Sequence, residues 1–128
     1  MKKIFSITFL LLSLVLASQN NKQRAEILAT SIQKHLSLKK EERVKLYELI
    51  LSNMNSIDKL AKTNNGDYNS QPVMIEKRRF FGEMSKALTE DQFQSWQKIR
   101  LEQINAYKNG EKPKDLIFDP EMEFSLKK

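Results

Sequence analysis

The chain has 128 residues, a formal net charge of +6 and no cysteine. That length holds one small domain with a modest core. The mild charge is not the dense basic stripe of a nucleic-acid binder, and without cysteine the fold must rest on helix packing or on pairing with a second copy.

The chain opens on Met1-Lys2-Lys3, and Ile4 to Leu16 is then apolar except for Ser6, Thr8 and Ser13. Ala17-Ser18 closes the run with small residues before polar Gln19-Asn20-Asn21. This is the pattern of a secretory signal peptide, and its apolar stretch is short of the roughly 20 residues a spanning helix needs. The expected organisation is a signal peptide over 1–18, a helical domain over 19–110 and a C-terminal tail over 111–128. Losing Lys2 and Lys3 takes the charge from +6 to +4. With no cysteine after the cleavage region, no lipid anchor is expected, and cleavage leaves no membrane anchor. Export to a periplasm is the first expectation for localisation, with outright secretion the alternative. An exported protein also makes nucleic acid an unsuitable partner.

Four helices are predicted, arranged as two hairpins in an all-α fold. The first spans Lys22 to Leu36, where Ala25, Leu28, Ile32 and Leu36 form one seam and Asn20 or Asn21 is placed to cap. The second spans Lys40 to Lys62 on a stripe of Leu46, Ile50, Met54, Ile57 and Leu60 or Ala61. Val44, Tyr47 and Leu51 widen that stripe, which predicts a central position. Residues 63–71 are rich in turn formers. Pro72 suits the first turn of a third helix, which runs to Ala87 with Val73, Phe80, Phe81, Met84 and Leu88 on its apolar side. The fourth runs from Glu90 to Asn109 on Phe93, Trp96, Ile99, Ile104 and Tyr107, with Gly110 to end it and Pro113 to prevent its resumption. The tail carries Leu116-Ile117-Phe118 and Phe124 without a helical period, and is expected either to pack as an arm or to hang free.

Leu88-Thr89-Glu90-Asp91-Gln92 is the most patterned stretch. Thr89 and Gln92 are spaced for a capping box, Leu88 and Phe93 for a hydrophobic staple, and Glu90 and Asp91 sit where the helix dipole favours acids. A weaker copy stands fifty residues earlier. It keeps Leu38 and Glu42, but Lys39 occupies the threonine's place and cannot cap, which leaves Ser37 as the candidate.

This pair resembles the signature of the Spy/CpxP family of periplasmic proteins, a Leu-Thr-x-x-Gln motif that typically occurs twice. The second copy matches in full through Leu88, Thr89 and Gln92. The first keeps only Leu38, with Lys39 in place of threonine and Glu42 in place of glutamine. The resemblance covers residues 22–109. It implies an intertwined, cradle-shaped homodimer of helices. It further implies an ATP-independent chaperone that holds unfolded envelope proteins on a basic, partly apolar surface, or a regulator that binds the sensor domain of an envelope-stress kinase. Some relatives bind metals through histidine and acidic residues.

On the residues themselves, Lys77, Arg78 and Arg79 precede Phe80 and Phe81, and with Lys86 and Arg100 they are the candidate client-binding surface. Charge would attract an unfolded chain and apolar contact would hold it. The plainer alternative is a solvated helix face with Phe80 or Phe81 in the core, with Glu76 and Glu83 diluting the charge. His35 is the one histidine, and no second ligand stands at helical spacing from it, so no metal and no cofactor is expected. Met54, Met74, Met84 and Trp96 read first as core. Glu41-Glu42 and Glu90-Asp91 sit at helix starts, where they suit the dipole better than acid–base work. No nucleophile set or phosphate loop is present, so no catalytic residue is assigned. A third expectation for function is a small interaction protein whose tail is a docking arm.

Overall fold

The computed structural model describes residues 20–124. The predicted signal peptide and the last four residues of the tail lie outside the described residues. The fold is all-α, with no strand among the described residues. Helix α1 covers residues 20–36. It is followed by α2 (Lys40–Thr63), α3 (Gln71–Ala87), α4 (Glu90–Lys108) and a single turn, α5 (Pro120–Glu123).

α1 and α2 form an antiparallel hairpin. The Arg43 guanidinium reaches Glu26 at 2.6 Å, and at the other end Asn21 Nδ2 donates to Asn55 Oδ1 at 3.0 Å and to Asp58 Oδ2 at 2.7 Å. The expected caps are corrected here. Asn20 and Asn21 both lie inside the helix, and the Asn21 side chain is committed to α2 instead of its own helix start. Ser37 does not cap α2. It ends α1 at φ +53°, a left-handed close in which the Leu38 N–H returns to the Gln33 carbonyl at 3.1 Å. Lys39 takes the cap position of α2, and its N–H donates to Glu42 Oε1 at 3.0 Å. Half of a capping box is thereby made, since lysine has no acceptor to return.

α2 is central, as its wide stripe predicts. Leu46, Ile50, Met54, Ile57 and Ala61 are buried, whereas Val44 is exposed and belongs to the solvent side. Most of these join α1 through Ala25, Leu28, Ala29 and Ile32, and join α3 and α4 through Met84, Leu88 and Trp96, in the main core. Truncating any of the large ones to alanine costs about 2–5 kcal/mol. Ile57, Ala61 and Val73 form a smaller cluster near the α2–α3 turn, which Met122 of the arm also touches.

Leu88 and Thr89 alone join α3 to α4. Thr89 Oγ1 accepts from the Gln92 N–H at 3.2 Å, and Gln92 Oε1 accepts from the Thr89 N–H at 2.9 Å. The box predicted from this motif is complete. Thr89→Ala is expected to cost about 1 kcal/mol, read as a lower urea midpoint at unchanged slope; no shift would mean that the box is replaced by water at no loss. Gly110 closes α4 at φ +83°, where a side chain would be strained. No described helix is long and apolar enough to cross a membrane.

The tail is an arm. Ile117 is 1% and Phe118 5% exposed, and Phe118 and Phe124 meet the ring of Tyr107 with centroids 6.0 and 5.3 Å apart.

Candidate binding cleft

The periodicity of α3 separates its basic cluster into two faces. Met74, Lys77, Arg78 and Phe81 follow the i, i+3, i+4, i+7 spacing and share one face. Arg79 and Lys86, seven apart, share another. The first face, with Phe80, borders a cleft of about 300 Å³. Leu28 of α1 and Ile50 and Met54 of α2 form its floor, and Trp96 and Arg100 of α4 complete that side. Ile117, Phe118 and Met122 of the arm supply the facing wall.

Five of the seven residues predicted from sequence thus line this cleft: Lys77, Arg78, Phe80, Phe81 and Arg100. Arg79 and Lys86 do not. Arg79 donates from Nε and Nη2 to Glu76 at 2.7 and 2.6 Å, and Lys86 lies 3.8 Å from Glu83. Phe80 and Phe81 are half-buried and pack against the main core, so they serve both the fold and the cleft.

Arg100 is the most constrained cation. Its guanidinium carbon lies 4.6 Å from the Phe81 ring centre and 5.9 Å from that of Trp96, and it pairs with Glu123 of the arm. Partly desolvated contacts of the ring type contribute about 1 kcal/mol. Burial pushes the Lys77 ammonium below its ordinary pKa, and the nearby Glu123 carboxylate opposes that.

Sequence reasoning missed the residues that hold the arm in place. Arg24 of α1 pairs with Asp119 and reaches Glu121 at 3.3 Å. Gln103 of α4 is buried, with Nε2 donating to the Asp115 carbonyl at 3.1 Å and Oε1 accepting from the Ile117 N–H at 2.8 Å. Lys34 pairs with Asp115 at 2.9 Å and holds that carboxyl below its ordinary range. His35 Nε2 donates to the Asp115 carbonyl at 2.9 Å. The lone histidine is therefore engaged with the arm, and among the described residues no three His, Asp or Glu side chains gather as a metal site. Of the residues that hold the arm, only Gln103 carried a signal in the sequence, one that it shares with two others away from the arm. Asn53, Glu76 and Gln103 are polar residues at apolar-stripe positions of their helices, and all three are buried.

Two N–H groups of the cleft's lining residues have no hydrogen-bond acceptor, Asn53 Nδ2 and Trp96 Nε1. The Asn53 amide is near enough to Glu76 to favour its charged form, though it makes no hydrogen bond of ordinary length there.

The Arg79 guanidinium holds the Glu76 carboxyl below its ordinary value near 4.5, against the opposing effect of burial. A carboxyl lowered in the folded state stabilises the protein above its unfolded pKa, and this is lost as pH falls through the folded pKa. Between neutral pH and about 3, the native protein is therefore expected to lose more stability than Glu76→Gln does. Equal losses in urea titrations at both pH values would show that the pair contributes nothing.

Comparison of the chain with family models, with curated proteins and with solved structures finds no match to any of the three. The fold and the cleft therefore carry the functional argument.

Proposed function

We propose that this protein is an exported, ATP-independent binder of partly unfolded envelope polypeptides, with the kind of role that its resemblance to the Spy/CpxP family implies. The observation that supports this reading is the convergence of Lys77, Arg78, Phe80, Phe81 and Arg100 on one apolar cleft. Cations at the rim raise the encounter rate with acidic segments. The aromatic and methionine lining then holds apolar side chains without demanding one sequence, since methionine adapts to irregular shapes. Release needs no nucleotide, because contacts of this kind are individually weak. A homodimer is part of the proposal, on the ground of the resemblance, and sedimentation at micromolar concentration tests it.

Light scattering of a chemically unfolded client, with residues 19–128 added and no ATP, tests the central claim. Suppression near one chain per client is expected, weaker at high salt because exposed charges are screened. Arg78→Glu, on the cleft, is expected to lower protection severalfold, and Lys86→Glu, off the cleft, to leave it unchanged. A folded, soluble protein that protects nothing would remove this reading. A saturable complex with one folded sensor domain, without general protection, would support the regulator in its place.

A further inference from the structure

We infer that the cleft is a binding site for a single-chain amphiphile with an anionic head, a free medium-chain fatty acid carboxylate. This does not rest on polypeptide binding and stands or falls by its own measurement.

Size comes first. The cleft's roughly 300 Å³ is about twice an apolar cavity that takes benzene, and lies at the lower end of the range of small-molecule sites. It suits one slim chain better than a fused ring system or a two-chain lipid. Its wall is shared among four helices and the arm, so a bound chain would meet apolar side chains from several elements.

Charge decides the head group. Both carboxylates that line the cleft are already neutralised, Asp119 by Arg24 and Glu123 by Arg100. On the basic side, Arg78 is exposed at the rim and makes no ion pair among the described residues. Lys77 beside it is half-buried and lines the same cleft, so an anionic head at Arg78 would also meet its positive field. The lining therefore offers cationic side chains at the rim and has no uncommitted carboxylate. An acid head is matched, a neutral alcohol gains less, and an ammonium head is opposed.

Trp96 is the one tryptophan of the chain and lines the cleft, so its emission reports occupancy directly. The experiment titrates the full protein with decanoate, decanol and decylamine, each below its aggregation concentration, and repeats this with Arg78→Glu. Decanoate is expected to shift the Trp96 emission saturably at one per chain and to raise the unfolding temperature. Arg78→Glu should weaken decanoate by about tenfold, as loss of one charge-assisted contact does. It should leave decanol within about twofold of the native affinity, since that head carries no charge to lose. Equal affinity for the three heads, or an unchanged decanoate affinity in Arg78→Glu, would overturn the anionic-head assignment. A failure of all three to saturate would overturn the site. The same emission change on anionic phospholipid vesicles, with none on free decanoate, would place the chemistry at a membrane surface and overturn the free-acid assignment. Client protection in the scattering assay is read separately, so the two proposals can fail independently.

Discussion

A chain cut back to Gly110 is expected to lose its cooperative fold, not to yield a bare bundle. Ile117 lies in the main core, with Leu28, Ile32 and Trp96. Removing it and Phe118 forfeits about 1.5–3 kcal/mol of apolar burial for each side chain. The cut also strips Gln103 of both its arm partners, and a buried polar group left unsatisfied costs about 1–3 kcal/mol. Arg24 and Arg100, with side chains 12% and 16% exposed, would lose their carboxylate partners on the arm. The total, about 5 kcal/mol or more, is comparable with the whole stability of a small domain. Urea unfolding followed by Trp96 emission measures it. The full chain should show one transition, and the shortened chain should have none or one near zero urea. An unchanged midpoint would make the arm dispensable to the fold and would favour its reading as a separate docking device.

The second large effect is expected at Arg24. Burial disfavours its charge, yet Asp119, Glu121 and Asp58 together outweigh this and raise its pKa. It pairs with Asp119, whose side chain is 13% exposed, and also donates to Asn21 Oδ1 at 3.1 Å. Arg24→Met keeps the apolar stem and removes the charge. Asp119 would then keep only the Met122 N–H at 3.1 Å, and the loss should be about 3 kcal/mol, the range for a half-buried pair broken on one side. Adding Asp119→Asn should recover part of it, because the uncompensated charge is then gone. A loss below about 1 kcal/mol would place the pair with exposed ion pairs, which contribute little.

Both predictions turn on contacts between residues more than ninety positions apart or between an arm and a helix, and none of these has a local signature. The helices do. The seams from Ala25 to Ile32 and from Leu46 to Ala61 are written at spacings of three and four and are buried, and on α3 Val73, Met84 and Leu88 are buried with Phe80 and Phe81 half-buried between them. The Thr89 and Gln92 box forms because its partners are three residues apart. Where a cap residue had a stronger tertiary use, local reading failed. Asn21 serves Asn55 and Asp58 instead of its own helix end, and Ser37 turns the chain left-handed between α1 and α2. The cleft was half legible for a similar reason. Its α3 residues lie in one run of sequence, but the helix turns 100° per residue, so Arg79 and Lys86 face away from their neighbours.

What the sequence by itself determined is the all-α class, the limits of α2, α3 and α4 to within one residue, most of the residues that face inward and the basic-aromatic run that borders the cleft. Periodicity and capping are short-range properties, and a reader needs no partner to see them. Only the tertiary structure decided that the tail is an arm buried in the core, that Arg24, Gln103 and Arg100 hold it, and that its inner face closes an apolar cleft over Trp96. Those outcomes depend on which surfaces meet. Isolated apolar residues such as Ile117 and Phe118 bury wherever the bundle leaves a gap, and that gap exists only once the four helices have packed.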